Sequence, residues 1–551
     1  TFETYNSTRK FATQNWPISE NTYAPQNPYW TAYRNPQKTT KNRFMFHGVL
    51  TYNILDWLNV SGRYRVDHTY ADIERKIYAS SNEKFAAKKG NYEHANFKAT
   101  QEYADFMVNI NKHMGDFNIA SHVGFSYYNT SANELQHKGN LIGVTNDFTL
   151  INIDPRALTI IKKGGDQSIK NLALFASVEL GWKGMLRNEW NSRLVNSKES
   201  SFFYPSIGLS GVISEMVKLP EVISYLKVRG SYTDVGAPIT KSGLTPGTIT
   251  TPVIGGVIKE TGIFPFIDFK AEKTSSYEFG WDLRMFKNKI SLNGTWYKSN
   301  TKNQTFIGNL PESSGYESAY LQAGNVENKG WEVTLGYQDK FGDFNVSSSL
   351  AFSKNTNVIK EMVENYKHPL SLEPMNIPQV AKDNYRTILK VGGSINDLYA
   401  SQFLKKDSQG YVEIKEDGSY GLEQGEPVYL GRSTPDFTLG WNNSVSYKGI
   451  GLSFLINARV GGVVTSSTQA ILDRFGVSKA SGIARDQGGV MIPNQGLVDA
   501  QKYYVIGGTG EPGTAGYYTY SATNVRLQEL ALSYSLPTHW FNDVFSELTV
   551  S

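Results

Sequence analysis

Apolar side chains recur at every second position through long stretches of this chain. In 58–67, Leu58, Val60, Gly62, Tyr64 and Val66 fall on one face, and Asn59, Ser61, Arg63, Arg65 and Asp67 on the other. The same alternation groups Phe44, Phe46, Gly48, Leu50, Tyr52 and Ile54, and again Phe117, Ile119, Val123, Phe125 and Tyr127. It returns in Leu172–Trp182 and in Tyr277–Met285. A period of two is the geometry of an extended strand, whose successive side chains point to opposite faces. Many of these runs cover about 9–12 residues, where about 5–6 is usual for a water-soluble sheet.

The runs come in pairs around short polar turns. Trp281–Phe286 and Ile290–Tyr297 flank Lys287–Lys289; Trp331–Tyr337 and Asp343–Phe352 flank Gln338–Gly342. Phe437–Tyr447 and Leu452–Val460 flank Lys448–Gly451, and Phe106–Ile110 and Phe117–Tyr127 flank His113–Asp116. Gly, Asn and Asp supply the backbone angles of tight reversals, so each pair predicts a hairpin. Roughly 14–16 strands are expected on this pattern. Between hairpins lie long segments rich in Gly, Pro, Ser, Thr and Asn: 196–204, 237–270, 355–385, 405–431 and 461–520. Short turns alternating with long loops is the layout of an outer-membrane barrel.

Composition removes the competing classes. Aromatics make up 13% of the 551 residues, far too many for a disordered chain. No apolar run approaches the ~18–20 residues of a spanning helix. The formal net charge of +4 asks for no nucleic acid. With no Cys, thiolate metal sites, cysteine nucleophiles and disulfides are all excluded. A soluble β-sandwich would show the same alternation with its apolar faces turned to a shared core. Strand length argues for the barrel, and so do aromatics near strand ends, where a membrane-interface girdle belongs: Trp57, Trp182, Trp296, Tyr297, Tyr337, Trp441 and Tyr447. Thr1 opens no basic and apolar leader, and Phe545–Ser551 reads as a strand cut in mid-course, so an internal fragment of a longer protein is expected.

Several segments resemble the SusC/RagA family of TonB-dependent outer-membrane transporters of Bacteroidetes. Ala271–Arg284 (AEKTSSYEFGWDLR) resembles that family's Pro-Glu-x-Thr…Glu-x-Gly-x-Asp-x-Arg strand, with Ala271 where Pro is usual. Gly324–Glu332 (GNVENKGWE) is similar to its Gly-x-Val-x-Asn-Lys-Gly-x-Glu motif, and Gly431–Phe437 (GRSTPDF) to its Gly-x-x-x-Pro-x-Phe motif, followed by Arg459-Val460-Gly461-Gly462. Val525–Pro537 looks like the penultimate barrel strands, with Ala522-Thr523-Asn524 before it in place of a more usual Ala-Ser-aromatic; Phe203–Ile207 and Leu226–Tyr232 also fit. The likeness runs from about Arg43 to Pro537. It implies an all-β fold, a transmembrane antiparallel β-barrel of which residues 1–551 supply an incomplete domain of roughly 22 strands in full. The N-terminal extension, plug and last strand would be absent. It further implies active import of an oligosaccharide or peptide nutrient, energised by TonB through the missing N-terminal region, with a SusD-like surface lipoprotein as partner and an outer-membrane location. A passive porin, or a soluble β-rich glycan-binding protein, are the other readings.

No enzyme is expected, and no cofactor. The eight His (47, 68, 94, 113, 122, 137, 368 and 539) never fall at metal-ligand spacing, and His47 and His122 sit on polar strand faces. Gly507–Gly516 lacks the Lys-Ser/Thr of a phosphate loop, and Ser210 the full context of a nucleophile elbow. No pair of carboxylates is placed in one cleft. The candidate substrate contacts are aromatic: Tyr29 and Trp30 in one loop, Tyr503, Tyr504, Tyr517 and Tyr518 flanking the Gly-rich segment in another. Such rings stack on sugars or peptides while their polar tips take hydrogen bonds.

Overall fold

Alternation becomes hairpins because the turns between strands carry residues that accept a left-handed backbone. Lys448 and Gly449 both have positive φ (45° and 86°), as do Lys183 and Gly184 (50° and 69°). That is the requirement of the two-residue reversals whose twist matches the strands they join. A computed structural model describes residues 1–17, 26–83, 85–156, 158–163, 168–197, 201–237, 253–254, 257–258, 263–264, 271–309, 318–367, 374–377, 379–382, 387–409, 413, 422–492, 496–507, 516–537 and 548–551. The chain divides into two units.

The first unit comprises Thr1–His113, Ile119–Val178 and Asn191–Phe203. Its strands are β1 (Gln37–Leu55), β2 (Leu58–Ile77), β3 (Asn91–Met114), β4 (Phe117–Asn140), β5 (Ser168–Trp182) and β6 (Leu186–Ser197), the last four ending or beginning across the division. β1 pairs antiparallel with β2, and β2 with β3, in unbroken register from Leu58↔Ile110 to Ile77↔Asn91. Before β1, a small hairpin (Glu3–Asn6 with Phe11–Gln14) precedes the helix α1 (Pro28–Arg34).

The second unit runs mainly from Tyr204 to Ser551. It holds β7 (Ser201–Val212), β8 (Ile223–Ala237), β9 (Glu272–Met285), β10 (Ile290–Asn309), β11 (Ser318–Phe341), β12 (Phe344–Glu361), β13 (Phe437–Tyr447), β14 (Ile450–Val460), β15 (Asn524–Leu536) and β16 (Leu548–Val550). Each pairs antiparallel with the next. The strands of each unit are antiparallel β-barrel wall. The helix α2 (Ile213–Met216) sits between β7 and β8; α3 (Ser467–Arg474), α4 (Lys479–Asp486) and α5 (Ala500–Gly507) lie between β14 and β15.

The direction of the apolar faces separates a barrel from a sandwich. In a sandwich Leu50, Leu174, Phe279 and Leu532 would be core; here they are 78, 58, 50 and 68% exposed. The polar face is the enclosed one. Asp67 and Asp105 are buried there, each paired with an arginine: Arg43 Nε donates to Asp67 at 2.8 Å and Arg63 Nε to Asp105 at 2.9 Å. Large apolar side chains turned outward from a paired sheet mark a surface built for lipid.

Three expectations need correction. Strands expected at about 9–12 residues reach 24 in β3, β4 and β11. The alternation seen in the sequence covers only the part facing lipid. Past Val66, β2 carries His68, Tyr70, Asp72 and Glu74 at the same spacing, and polar residues on both faces leave no pattern although the ladder continues. For the same reason Gln338–Phe341 is strand, not turn: the reversal is Gly342-Asp343, with Phe341 opposite Phe344, and the fourth turn shrinks to Gly115-Asp116. The segments 355–361 and 422–431 are likewise paired strand. Finally, Tyr297 leaves the aromatic girdle. It is adjacent to Trp296 and so points to the other face, where its hydroxyl donates to Asn355 at 3.2 Å. The outward belt on these strands is instead Trp281, Trp296 and Trp331, with ring centroids 6.3–6.5 Å apart.

Candidate functional site

The polar face of β14 leads to a cleft of about 700 Å³. Alternation along β14 puts Ser453, Asn457 and Arg459 on that face and Leu452, Phe454 and Ile456 on the lipid side. After Val460 the chain turns sharply. Gly461 and Gly462 have φ of 80° and 81°, and a Cβ on Gly461 would strike the Asp436 carboxylate, so only glycine fits. The turn hands the chain to a short ribbon, Val463–Thr465 paired with Thr519–Ser521. This ribbon, Ser433 and the strand bearing Leu398 and Tyr399 wall the cleft, with Arg459 and Ser521–Asn524 beside them. The walls therefore offer aliphatic surface (Leu398, Val463, Val464, Ala522), hydroxyls (Ser433, Thr465, Ser467, Ser521, Thr523) and one guanidinium. Arg459 donates through Nη2 to the Ser433 carbonyl, while its Nε is enclosed with no hydrogen-bond partner among the described residues.

Beyond the ribbon, α3 opens at Ser466, whose hydroxyl caps the helix by accepting from Gln469 N–H at 3.1 Å. Four of the six tyrosine and tryptophan candidates gather here. Tyr518 is fully buried and donates to Asp473 Oδ2 at 3.0 Å; Gln469 Nε2 donates to Oδ1 at 2.8 Å. Tyr517 packs on Tyr518 with centroids 5.0 Å apart, Tyr503 on Tyr517 at 6.3 Å, and Tyr504 on Tyr503 at 5.2 Å. Burial pushes the phenols of Tyr517 and Tyr518 well above the usual tyrosine range, and the Asp473 charge adds to this at Tyr518. They stay neutral hydrogen-bond donors. Tyr518 offers a ligand no surface as placed; it fastens α3. Tyr517 is 45% exposed, and Tyr503 and Tyr504 are half-buried. Residues 508–515, the centre of the Gly-rich segment, lie outside the described residues, as do His368, His539 and most of 238–270.

Tyr29 and Trp30 belong to the first unit, on α1. Asn27 caps this helix by accepting from Tyr29 N–H at 3.0 Å. Trp30 is 1% exposed and donates from Nε1 to Ser81 Oγ at 2.9 Å, so its ring anchors α1 rather than lying open. Tyr29 is exposed. His47 and His122 sit on polar faces as the alternation implied, and His122 Nδ1 lies 3.0 Å from Asn109 Oδ1. Among the described residues no group of three His, Asp or Glu forms a metal cage.

Sequence reasoning had no means of finding the cleft. Arg459 stands out only as part of a resemblance motif; that it lines one cleft with Tyr399 and Ser521 depends on chain folding across 60 and 62 residues.

The comparisons agree with this architecture. A sequence model of the "TonB dependent receptor-like, beta-barrel" family matches residues 1–540. TonB-dependent receptor P3 of Formosa agariphila is 24% identical over 475 residues, covering 80% of this chain and 46% of that protein. TonB-dependent receptor P26 of the same organism is 25% identical over 370 residues, covering 61% and 35%. The chain thus spans less than half the length of either relative. Among solved structures, the RagAB peptide transporter superposes over 98% of this chain and 62% of its own, with a TM-score of 0.73 at 16% identity, a likeness of fold. The chain belongs to the TonB-dependent receptor-like β-barrel family of the outer membrane.

Proposed function

We propose that this chain is most of the barrel of an active importer that moves an oligosaccharide, or a peptide, across the outer membrane. A plug and a TonB-contacting segment outside this chain would close the barrel and couple it to inner-membrane energy. A SusD-like lipoprotein would hand over the substrate at the long-loop side. Family membership supports a receptor in place of an enzyme or a soluble glycan-binding protein. The observation that carries the reading is the enclosed polar face ending in the cleft. Hydroxyls, aliphatic patches and a guanidinium with an unused N–H suit a polar, oxygen-rich solute better than a metal chelate. The outward tyrosines, Tyr517 with Tyr503 and Tyr504, and separately Tyr29, supply stacking surface near the loops. The likeness to the RagAB peptide transporter keeps a peptide as the second cargo.

Transport needs no bond chemistry here; it needs a site whose affinity differs between closed and open states. Uptake of labelled oligosaccharides and peptides by cells with and without the gene tests the reading, repeated in cells lacking TonB. Uptake lost in both deletions is expected. Uptake that persists without TonB would make the protein a passive porin, and uptake unchanged by deleting the gene would refute the proposal.

A further inference from the structure

Along the outward face of β10 and β11 the cross-strand pairs are Leu292 with Leu335, Gly294 with Val333, and Trp296 with Trp331. The next pair outward is Lys298 with Lys329. On β12, Lys354 stands opposite Trp331 on the same face. Two lysines directly opposite each other repel and weaken a sheet unless an anion lies between them. The acid beside Lys298 is Glu327, and it is shared: its Oε2 is 3.1 Å from Lys298 Nζ and its Oε1 3.4 Å from Lys360 Nζ. Lys329 and Lys354 are exposed and have no ion pair among the described residues. Lys298 and Lys360 thus share one carboxylate, while Lys329 and Lys354 stand on the same face at and just beyond a tryptophan belt with no acid beside them among the described residues.

The belt fixes the height of this cluster. Tryptophans gather where hydrocarbon meets headgroups, and lysine stems lie along apolar surface while their ammonium groups reach the polar layer. The cluster lies on the side of the belt away from the short turns at 286–289 and 342–343. In outer-membrane barrels short turns face the periplasm, so these lysines stand at the outer leaflet. We propose that Lys298, Lys329 and Lys354 form a binding site for the phosphate groups of a phosphorylated glycolipid headgroup in that leaflet. A dianionic phosphate between Lys298 and Lys329 converts their repulsion into attraction, and Lys354 supplies a third donor. The site is independent of the imported substrate.

The test uses the full-length receptor in nanodiscs titrated with a bisphosphorylated glycolipid such as lipid A, and with its dephosphorylated form. Comparison is with the K298Q/K329Q/K354Q variant and its Lys→Arg counterpart. At about fivefold per lysine, the Gln variant should lose roughly 100-fold in affinity for the phosphorylated form. The Arg variant should retain affinity, and the dephosphorylated form should bind parent and variants alike. Equal binding of the phosphorylated form by parent and Gln variant would overturn the proposal. Inorganic phosphate that competes at the same concentration as the lipid would assign the lysines to free anions instead and overturn the lipid source. Lysines that cross-link to an acidic protein but give no lipid effect would overturn it too. Should the triple variant fail to migrate as a folded barrel, K329Q and K354Q singly, at exposed positions, give the same readout at about fivefold each.

Discussion

Replacing Tyr518 by Phe removes one oxygen and tests what holds the α3–α5 segment in place. In the parent, the Asp473 carboxylate is 3% exposed and accepts two bonds, from Tyr518 at 3.0 Å and from Gln469 at 2.8 Å. Phe fills the same space, so no cavity opens; the loss is one charge-assisted bond to a buried carboxylate, about 1.5–3 kcal/mol. That corresponds to a roughly 10- to 150-fold rise in the local opening constant. Amide exchange followed by mass spectrometry reads it directly. Ser466 N–H, bonded to the Tyr518 carbonyl, and Ala470 N–H, bonded to Ser466, should exchange faster by that factor, while β13, β14 and β15 are unchanged. A pH arm fixes the sign. The phenol is pushed above its unfolded value near 10, so its contribution is full below about pH 10 and is lost as pH rises through the native value. Proteolysis of this segment should accelerate above about pH 10 in the parent and far less in the Phe variant. Unchanged α3 exchange in Tyr518→Phe would show that Asp473 and Tyr518 do not fasten the helix.

Gly294→Leu should prevent a folded barrel from forming, because a Cβ there collides with the Trp281 ring that lies across the glycine; loss of heat-modifiable migration on a gel is the readout. Trp30→Ala should cost α1 about 3–5 kcal/mol, seen as early proteolysis before β1, while Trp30→Phe loses mainly the Ser81 bond, about 1 kcal/mol. Leu530→Arg places a charge in the middle of the lipid face, opposite Phe454, and should destabilise the folded barrel by about 2–4 kcal/mol in urea titration; Ala531→Arg, on the other face, should cost far less.

The strands and hairpins were legible because a wall with lipid on one side and water on the other must alternate at every residue. Leu58–Val66 and Tyr277–Met285 could hardly be anything else. The same logic fails where water wets both sides, so the pattern stops short of the strand ends in β2, β3 and β11 and makes Gln338–Phe341 look like a turn. The aromatic candidates were legible as composition but not as roles. Its place beside the Gly-rich segment makes Tyr518 a candidate ligand contact, yet its partner Asp473 is 45 residues away, and nothing local announces the pairing. Trp30 is closed off by Ser81 from a loop 51 residues on. The cleft at Arg459 combines both difficulties, since each wall comes from a different segment.

The lipid-facing part of the wall acts as a ruler. From Leu58 to Val66 is eight steps, about 27 Å along the strand. Inclined at about 40°, that spans roughly 20 Å of hydrocarbon; Tyr277–Met285 gives the same figure, and the ten-step runs Phe44–Ile54, Phe117–Tyr127 and Leu172–Trp182 give roughly 26 Å. Both are short against the ~30 Å of an average bilayer. The protein is therefore cut for a thin membrane, and thick, sterol-rich bilayers should either be squeezed around it or exclude it. Folding yield from urea should rise as the acyl chains of the host lipid are shortened. Acyl-chain length, ordinarily a choice of convenience in reconstitution, becomes for this receptor a variable that governs whether it is recovered at all.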